Sequence, residues 1–227
     1  LRAPLRAIEG FADLVMLDHG AEINAGTAQG IRRIRNSAER MGRLILDLLA
    51  YTDLSRENFQ NKSLDLEATT LRVLRIFTDE IDRIGAQVSL DFPAKNVLGD
   101  RAALERVLVN LIANAIKFSS PDRTLRLRIF SENAPPNVRI SVLDNGIGID
   151  PRFCERIFGV FERLTPGADP QSTGIGLAIV KRSVEKMGGT VGVESTLGVG
   201  SRFWFQLPAG APTLAAPEHE LAVHEQV

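Results

Sequence analysis

Asn110, Asn114 and Lys117 are spaced by four and three residues within an otherwise apolar stretch. On a helix that spacing puts them on one face, so two carboxamides and an ammonium project together. An Asn carboxamide can lend an oxygen to Mg²⁺ without adding charge, and a Lys can neutralise phosphate oxygens. The same pattern also suits the polar face of any amphipathic helix, and the segment alone does not choose between the two. Further on, the apolar run from Val138 to Leu143 leads into Asp144-Asn145-Gly146-Ile147-Gly148-Ile149. A carboxylate ending a strand can accept a hydrogen bond from an exocyclic amine such as that of adenine, while the glycines let the backbone turn closely around it. An ordinary turn would carry similar residues. A third element, Thr173-Gly174-Ile175-Gly176-Leu177, opens a helical pattern, and glycines at a helix start expose free N–H groups that can cradle phosphate. Neither the G-x-x-x-x-G-K-[ST] phosphate loop nor a dinucleotide G-x-G-x-x-G after a strand is present. Between the glycine elements lie Phe158, Phe161 and Arg163, followed by a Pro/Gly-rich run. These fit a lid anchored by its Phe side chains, or simply two core aromatics.

The elements that must position these groups are legible in outline. Asp100 is placed to cap a helix running to about Phe118. The segments 88–92, 125–130 and 138–143 have strand character, a helix spans about 174–187, and 190–194 with 202–207 form a closing hairpin. A helix is also expected between Leu64 and Ile84. Upstream, Leu1, Leu5, Ile8, Ala12 and Val15 recur at helical spacing, with Pro4 tolerated in the first turn and a turn near His19-Gly20. Ile31, Ile34, Ala38, Met41, Ile45, Leu48 and Thr52 then alternate spacings of three and four, the seam of a coiled coil or bundle. Two helices cannot bury so much apolar surface in one hairpin, so a dimeric four-helix bundle is expected. From Ala209 the chain turns Ala/Pro-rich and reads as a flexible tail.

Charge and composition narrow the partners. In 227 residues, 27 Lys and Arg face 28 Asp and Glu, a net charge of -1 that offers no overall footprint for nucleic acid or an anionic membrane. With 44% hydrophobic residues the chain can bury a core. The single cysteine, Cys154, excludes an internal disulfide and a Cys-cluster metal site, and a reducing, cytoplasmic setting is expected. No apolar run reaches the roughly 20 residues that cross a bilayer, so no direct membrane contact is expected. The first residue is Leu rather than Met, as in a piece of a longer chain.

Together these motifs resemble a family. Asn110 to Lys117 resembles the N box, Asp144 to Ile149 the first glycine box, Phe158 to Arg163 the F box, and Thr173 to Leu177 the second glycine box of sensor histidine kinases. Gly198-Val199-Gly200-Ser201-Arg202-Phe203 is similar to their closing signature. The opening from Leu1 to Phe11 resembles the stretch just C-terminal to the phosphoacceptor His in phytochrome-type kinases. The resemblance implies an α+β fold: an N-terminal helical hairpin forming a dimeric four-helix bundle, then an α/β sandwich ATP-binding domain of the Bergerat type, with a mixed sheet. It implies residues 1–60 for dimerisation and phosphotransfer, 63–208 for ATP binding and 209–227 for the tail. ATP and Mg²⁺ are the implied ligands, with Asn114 on the metal and Asn110 supporting it. Lys117 would meet phosphate and Asp144 the adenine amine. Gly146, Gly148, Phe158, Phe161, Arg163, Thr173, Gly174, Gly176 and Leu177 would shape the pocket and its lid.

The resemblance also places the accepting His two residues before Leu1, so the 227 residues would bind ATP without being able to phosphorylate themselves. His19 reads as a loop residue, and His219 and His224 as tail residues; none replaces that His. Hydrolysing relatives carry a Glu base where this chain has Asn110, which cannot take a proton from water, so slow ATP hydrolysis is expected. Ala3 stands where phosphatase-competent members carry a polar side chain, which implies weak phosphatase activity. The implied partners are a second copy through residues 1–60, a response-regulator receiver domain and an upstream sensor domain. A catalytically silent module that binds nucleotide and signals by contact is the alternative.

Overall fold

The computed structural model describes residues 2–19, 23–162 and 173–211. Helix α1 (Arg2–His19) and helix α2 (Ala25–Arg56) form an antiparallel hairpin. His19, expected in a loop, is instead the last residue of α1, where its carbonyl accepts from Ile23 N at 3.1 Å. Asn24 Oδ1 accepts from Thr27 N at 2.9 Å and so starts α2. Of the expected seam only Ala38 is fully buried; Ile34, Met41 and Leu48 stay 57%, 52% and 42% exposed. One hairpin therefore leaves most of that stripe uncovered.

The rest is a two-layer α/β unit. Strand β1 (Lys62–Asp65) pairs antiparallel with β3 (Asn96–Gly99). Helices α3 (Leu66–Leu74) and α4 (Thr78–Ile84) lie between them in sequence, followed by β2 (Gln87–Asp91). Helix α5 (Arg101–Lys117) precedes β4 (Arg126–Ala134) and β5 (Asn137–Asp144). Helix α6 (Gly176–Lys186) leads to β6 (Thr190–Thr196) and β7 (Gly200–Pro208). The five-stranded sheet runs β2-β4-β5-β7-β6, with β2 parallel to β4 and every other pair antiparallel. This is the mixed sheet expected from sequence.

The core obeys two periodicities. Leu104, Leu108, Leu111 and Ile112 form the buried stripe of α5. Leu127 and Ile129, then Val138, Ile140 and Val142, then Phe203, Phe205 and Leu207 alternate inward from β4, β5 and β7. Asp100 Oδ1 accepts from Ala103 N at 3.1 Å, which fixes the start of α5 and the rotation of its polar face.

The expected tail begins with bonded residues. Ala209 N donates to Pro136 O, Gly210 N donates to Asn96 O at 3.1 Å, and Ser63 Oγ donates to Ala211 O. The β1–β3 pair supplies two of these partners, so the bonded backbone runs past Pro208.

Candidate functional site

The candidate residues converge where the C-terminal half of α5, the loop after β5, the turn before α6 and the β6–β7 hairpin meet. Asn110 and Asn114 are half-buried on α5, and Lys117 is exposed at its end with Nζ 5.0 Å from the Phe118 ring. Asn110 Nδ2 donates to Arg106 O at 2.8 Å, so its amide oxygen is the free end. That oxygen lies 2.6 Å from where a Cβ on Gly176 would stand. A side chain on this first residue of α6 would therefore displace the Asn110 amide where the helix start approaches α5.

Asp144 is 8% exposed and accepts from Gly146 N at 2.7 Å. Burial pushes its carboxyl above the usual carboxylate range, opposed by backbone N–H bonds from Gly146 and Ser201 and by the Arg123 charge. A Cβ on Gly146 would strike Phe118 O at 2.4 Å; Gly148, with φ +69°, presses against Thr196 O. Gly198 N donates to Ile147 O at 2.7 Å, and Gly200 packs on Asp144 O. The closing glycine motif is therefore the outer wall of the first glycine loop, which explains why both need glycine.

Arg123 ties these pieces together and was not recognised from sequence. Its guanidinium donates to Asn145 O at 2.6 Å, Gly146 O at 2.7 Å and Gly198 O at 2.8 Å. Ser195 Oγ adds a second tie, accepting from Ile149 N at 2.8 Å. Nothing local marks either residue, because their partners lie far along the chain.

The two aromatics differ. Phe158 is buried and meets Phe203 edge-on at 6.4 Å, which is a core role. Phe161 is 57% exposed with φ 65°, a conformation non-glycine residues rarely hold. Its N–H donates to Gly174 O at 2.9 Å, and Gly174, at φ +72°, packs on the Phe161 and Glu162 backbone. The F segment and the second glycine turn are thus pinned to each other. Thr173 closes the group from the other side, its hydroxyl donating to Asp47 Oδ2 on α2 at 2.6 Å. Leu177 packs half-buried against the core. Arg163, His219 and His224 lie outside the described residues.

Among the described residues no three His, Cys, Asp or Glu side chains gather as a metal site. The carboxamide oxygens of Asn114 and Asn110 are hard, neutral donors, which fits a Mg²⁺ ion that arrives with nucleotide phosphates. No helix among the described residues is long and apolar enough to cross a membrane.

Known proteins resemble this chain in sequence and in fold. Residues 99–211 match the family model described as histidine kinase-, DNA gyrase B-, and HSP90-like ATPase. Cyanobacterial phytochrome A of Nostoc sp. is 33% identical over 92% of this chain, which spans 27% of that protein. The structure of full-length ShkA in complex with AMPPNP superposes with a TM-score of 0.68 at 28% identity, covering 93% of this chain and 44% of that one. Histidine kinase ThkA, in complex with response regulator protein TrrA, gives 0.64 at 25% identity over 92% of this chain and 58% of that one. The chain therefore spans about a quarter of the length of the phytochrome it matches. With its helical hairpin, mixed sheet and matched domain, the chain belongs to the ATP-binding cores of the sensor histidine kinases.

Proposed function

We propose that this chain is the transmitter core of a two-component sensor kinase that binds ATP with Mg²⁺ and passes the γ-phosphoryl group first to a His just upstream of Leu1. A response-regulator Asp then takes the group. The observation that supports this best is the packing of the end of α5, the loop after β5 and the β6–β7 hairpin about the buried Asp144, with Asn110 against the glycine start of α6. Asp144 accepts from the adenine amine, while Gly146 N–H holds the carboxylate in place. Asn114 and Asn110 offer oxygens to Mg²⁺, which supplies charge neutralisation on the phosphates, and Lys117 adds a further positive charge. In the transfer a His ring nitrogen attacks the γ-phosphorus as the bond to the ADP oxygen breaks; an Asp carboxylate later displaces the His nitrogen. No Glu occupies position 110, so water is not deprotonated there and ATP is kept for the His.

Residues 1–60 form the dimer bundle and receive the regulator, residues 63–208 bind ATP, and an upstream sensor domain drives the pair. Ala3 has no polar atom to orient water, so phosphatase activity toward the regulator is weak. The test uses the natural protein carrying its upstream residues, incubated with γ-labelled ATP and Mg²⁺. Acid-labile, base-stable label on the protein is expected, transferable to a receiver domain. Protein that binds nucleotide yet takes up no label would establish the silent module instead.

A further inference from the structure

Helix α6 is tied to α2 at both ends. At its C-terminal end Lys186 Nζ donates to Leu54 O and Glu57 O, and in its first turn Ile175 and Ile179 bury against Leu54. At its N-terminal end the Thr173 hydroxyl donates to Asp47 Oδ2 at 2.6 Å, while its oxygen accepts from Ile175 N at 3.4 Å. The apolar cluster is non-directional and sets no rotation or height; the Lys186 bonds fix the C-terminal end of α6, and the Asp47 bond fixes the end at the glycine turn. Asp47 also turns the hydroxyl so that its lone pair faces the backbone of the glycine turn. The link thus runs from α2 through Thr173 to the residues that meet Asn110.

The height at which this bond sits is set by the hairpin register. Arg35 bonds Asp13 at 3.3 Å, and the groove that Leu5 and Glu9 share with Glu39 and Arg43 has the same register. Equal steps from the Arg35–Asp13 pair, forward along α2 and back along α1, bring Leu46 level with Arg2, the first residue of α1. Asp47 stands one residue further. The glycine turn is therefore held at the end of the hairpin where α1 begins, level along its axis with the first turn of that helix.

We infer that Asp47 is a positioning residue for phosphoryl transfer, holding the second glycine turn level with the accepting His through the Thr173 hydroxyl. The inference rests on the kinase function proposed above. Asp47 bonds neither Asn110 nor the Asp144 loop, so its loss changes how the turn faces α2 and is read in the transfer step before nucleotide affinity. Approach geometry of this kind carries large rate factors, so loss of the bond should be read in kcat.

The test measures initial rates of histidine phosphorylation in the natural full-length protein across ATP concentrations, with nucleotide binding measured separately. Asp47→Ala should lower the saturating rate by about tenfold or more, with KM and nucleotide Kd within about twofold of wild type. Asp47→Asn, which keeps an accepting oxygen, should fall between them. Thr173→Val should lower the rate as Asp47→Ala does, with no further loss in the double variant. Unchanged rates, faster rates in Asp47→Ala, or a loss carried by KM would each overturn the positioning role while leaving the kinase function standing. Wild-type protein that binds nucleotide but forms no phosphohistidine would overturn both.

Discussion

The Asn110 amide oxygen lies 2.6 Å from the point where a Cβ on Gly176 would sit, and Asn110 is held there by its bond to Arg106 O. Gly176→Ala must displace Asn110 or push α6 away from α5. Overpacking of this kind costs about 1–3 kcal/mol. Nucleotide affinity should fall by about tenfold, because the helix start and the carboxamide proposed to hold Mg²⁺ shift together. Thermal denaturation and nucleotide titration check this. Adding Asn110→Ala should restore stability and not affinity, since it removes the clash along with the carboxamide.

Asp144 gives a pH dependence of definite sign. Burial raises its pKa in the folded protein above the 3.8 of an ordinary Asp. The folded state therefore holds the proton more tightly than the unfolded chain. This contribution to stability is fully present below about pH 3.8 and is lost as pH rises through the raised value. Nucleotide binding should change in the opposite direction, strengthening as the carboxylate proposed to accept the adenine amine forms. Asp144→Asn should flatten both profiles, preserve or raise stability at neutral pH, and weaken nucleotide binding by at least about tenfold. Chemical denaturation and nucleotide titration from pH 4 to 8 distinguish these outcomes.

Arg123 is the stitch between the first glycine loop and the β6–β7 turn, donating to the carbonyls of Asn145, Gly146 and Gly198. Arg123→Ala leaves those carbonyls to water, at a cost of about 1–2 kcal/mol. Because two of its acceptors lie just after Asp144, nucleotide affinity should drop by about fivefold or more. Arg123→Lys should not rescue it, since one ammonium cannot span the carbonyls as the guanidinium fork does. Melting temperature and nucleotide Kd of both variants test this.

How far such features can be read from sequence depends on the range over which they are encoded. The α5 face announced itself because Asn110, Asn114 and Lys117 obey helical spacing, and β5 because apolar residues lead straight into Asp144. Strands β1 and β3 went unseen: each has only four residues, and they pair with each other across α3, α4 and β2. Arg123 and Ser195 act through backbone groups distant in sequence, which no local pattern marks. Asp47 did leave a trace, as the one charge within Leu44-Ile45-Leu46-Asp47-Leu48-Leu49. A lone carboxylate in so apolar a run needs a partner, and the structure supplies it from another element.

The hairpin itself predicts its assembly. Ile34, Met41 and Leu48 lie on one stripe of α2 and remain 57%, 52% and 42% exposed, while Phe11 of α1 is 67% exposed. Each aliphatic side chain gains about 1.5–3 kcal/mol on full burial, and a two-fold interface uses every position twice. A second copy would cover the stripe economically because self-complementary seams bring like positions together. Met41→Asp would place an unpaired carboxylate in that seam and should weaken the dimer by at least about a hundredfold. Ile76→Asp, at a 69% exposed position in the 3₁₀ turn between α3 and α4, should leave the assembly unchanged. Sedimentation equilibrium on wild type and both variants separates the outcomes. A wild-type chain that stays monomeric at high micromolar concentration would rule out the bundle dimer. Loss of the dimer in Ile76→Asp would move the interface from the hairpin to the α/β unit.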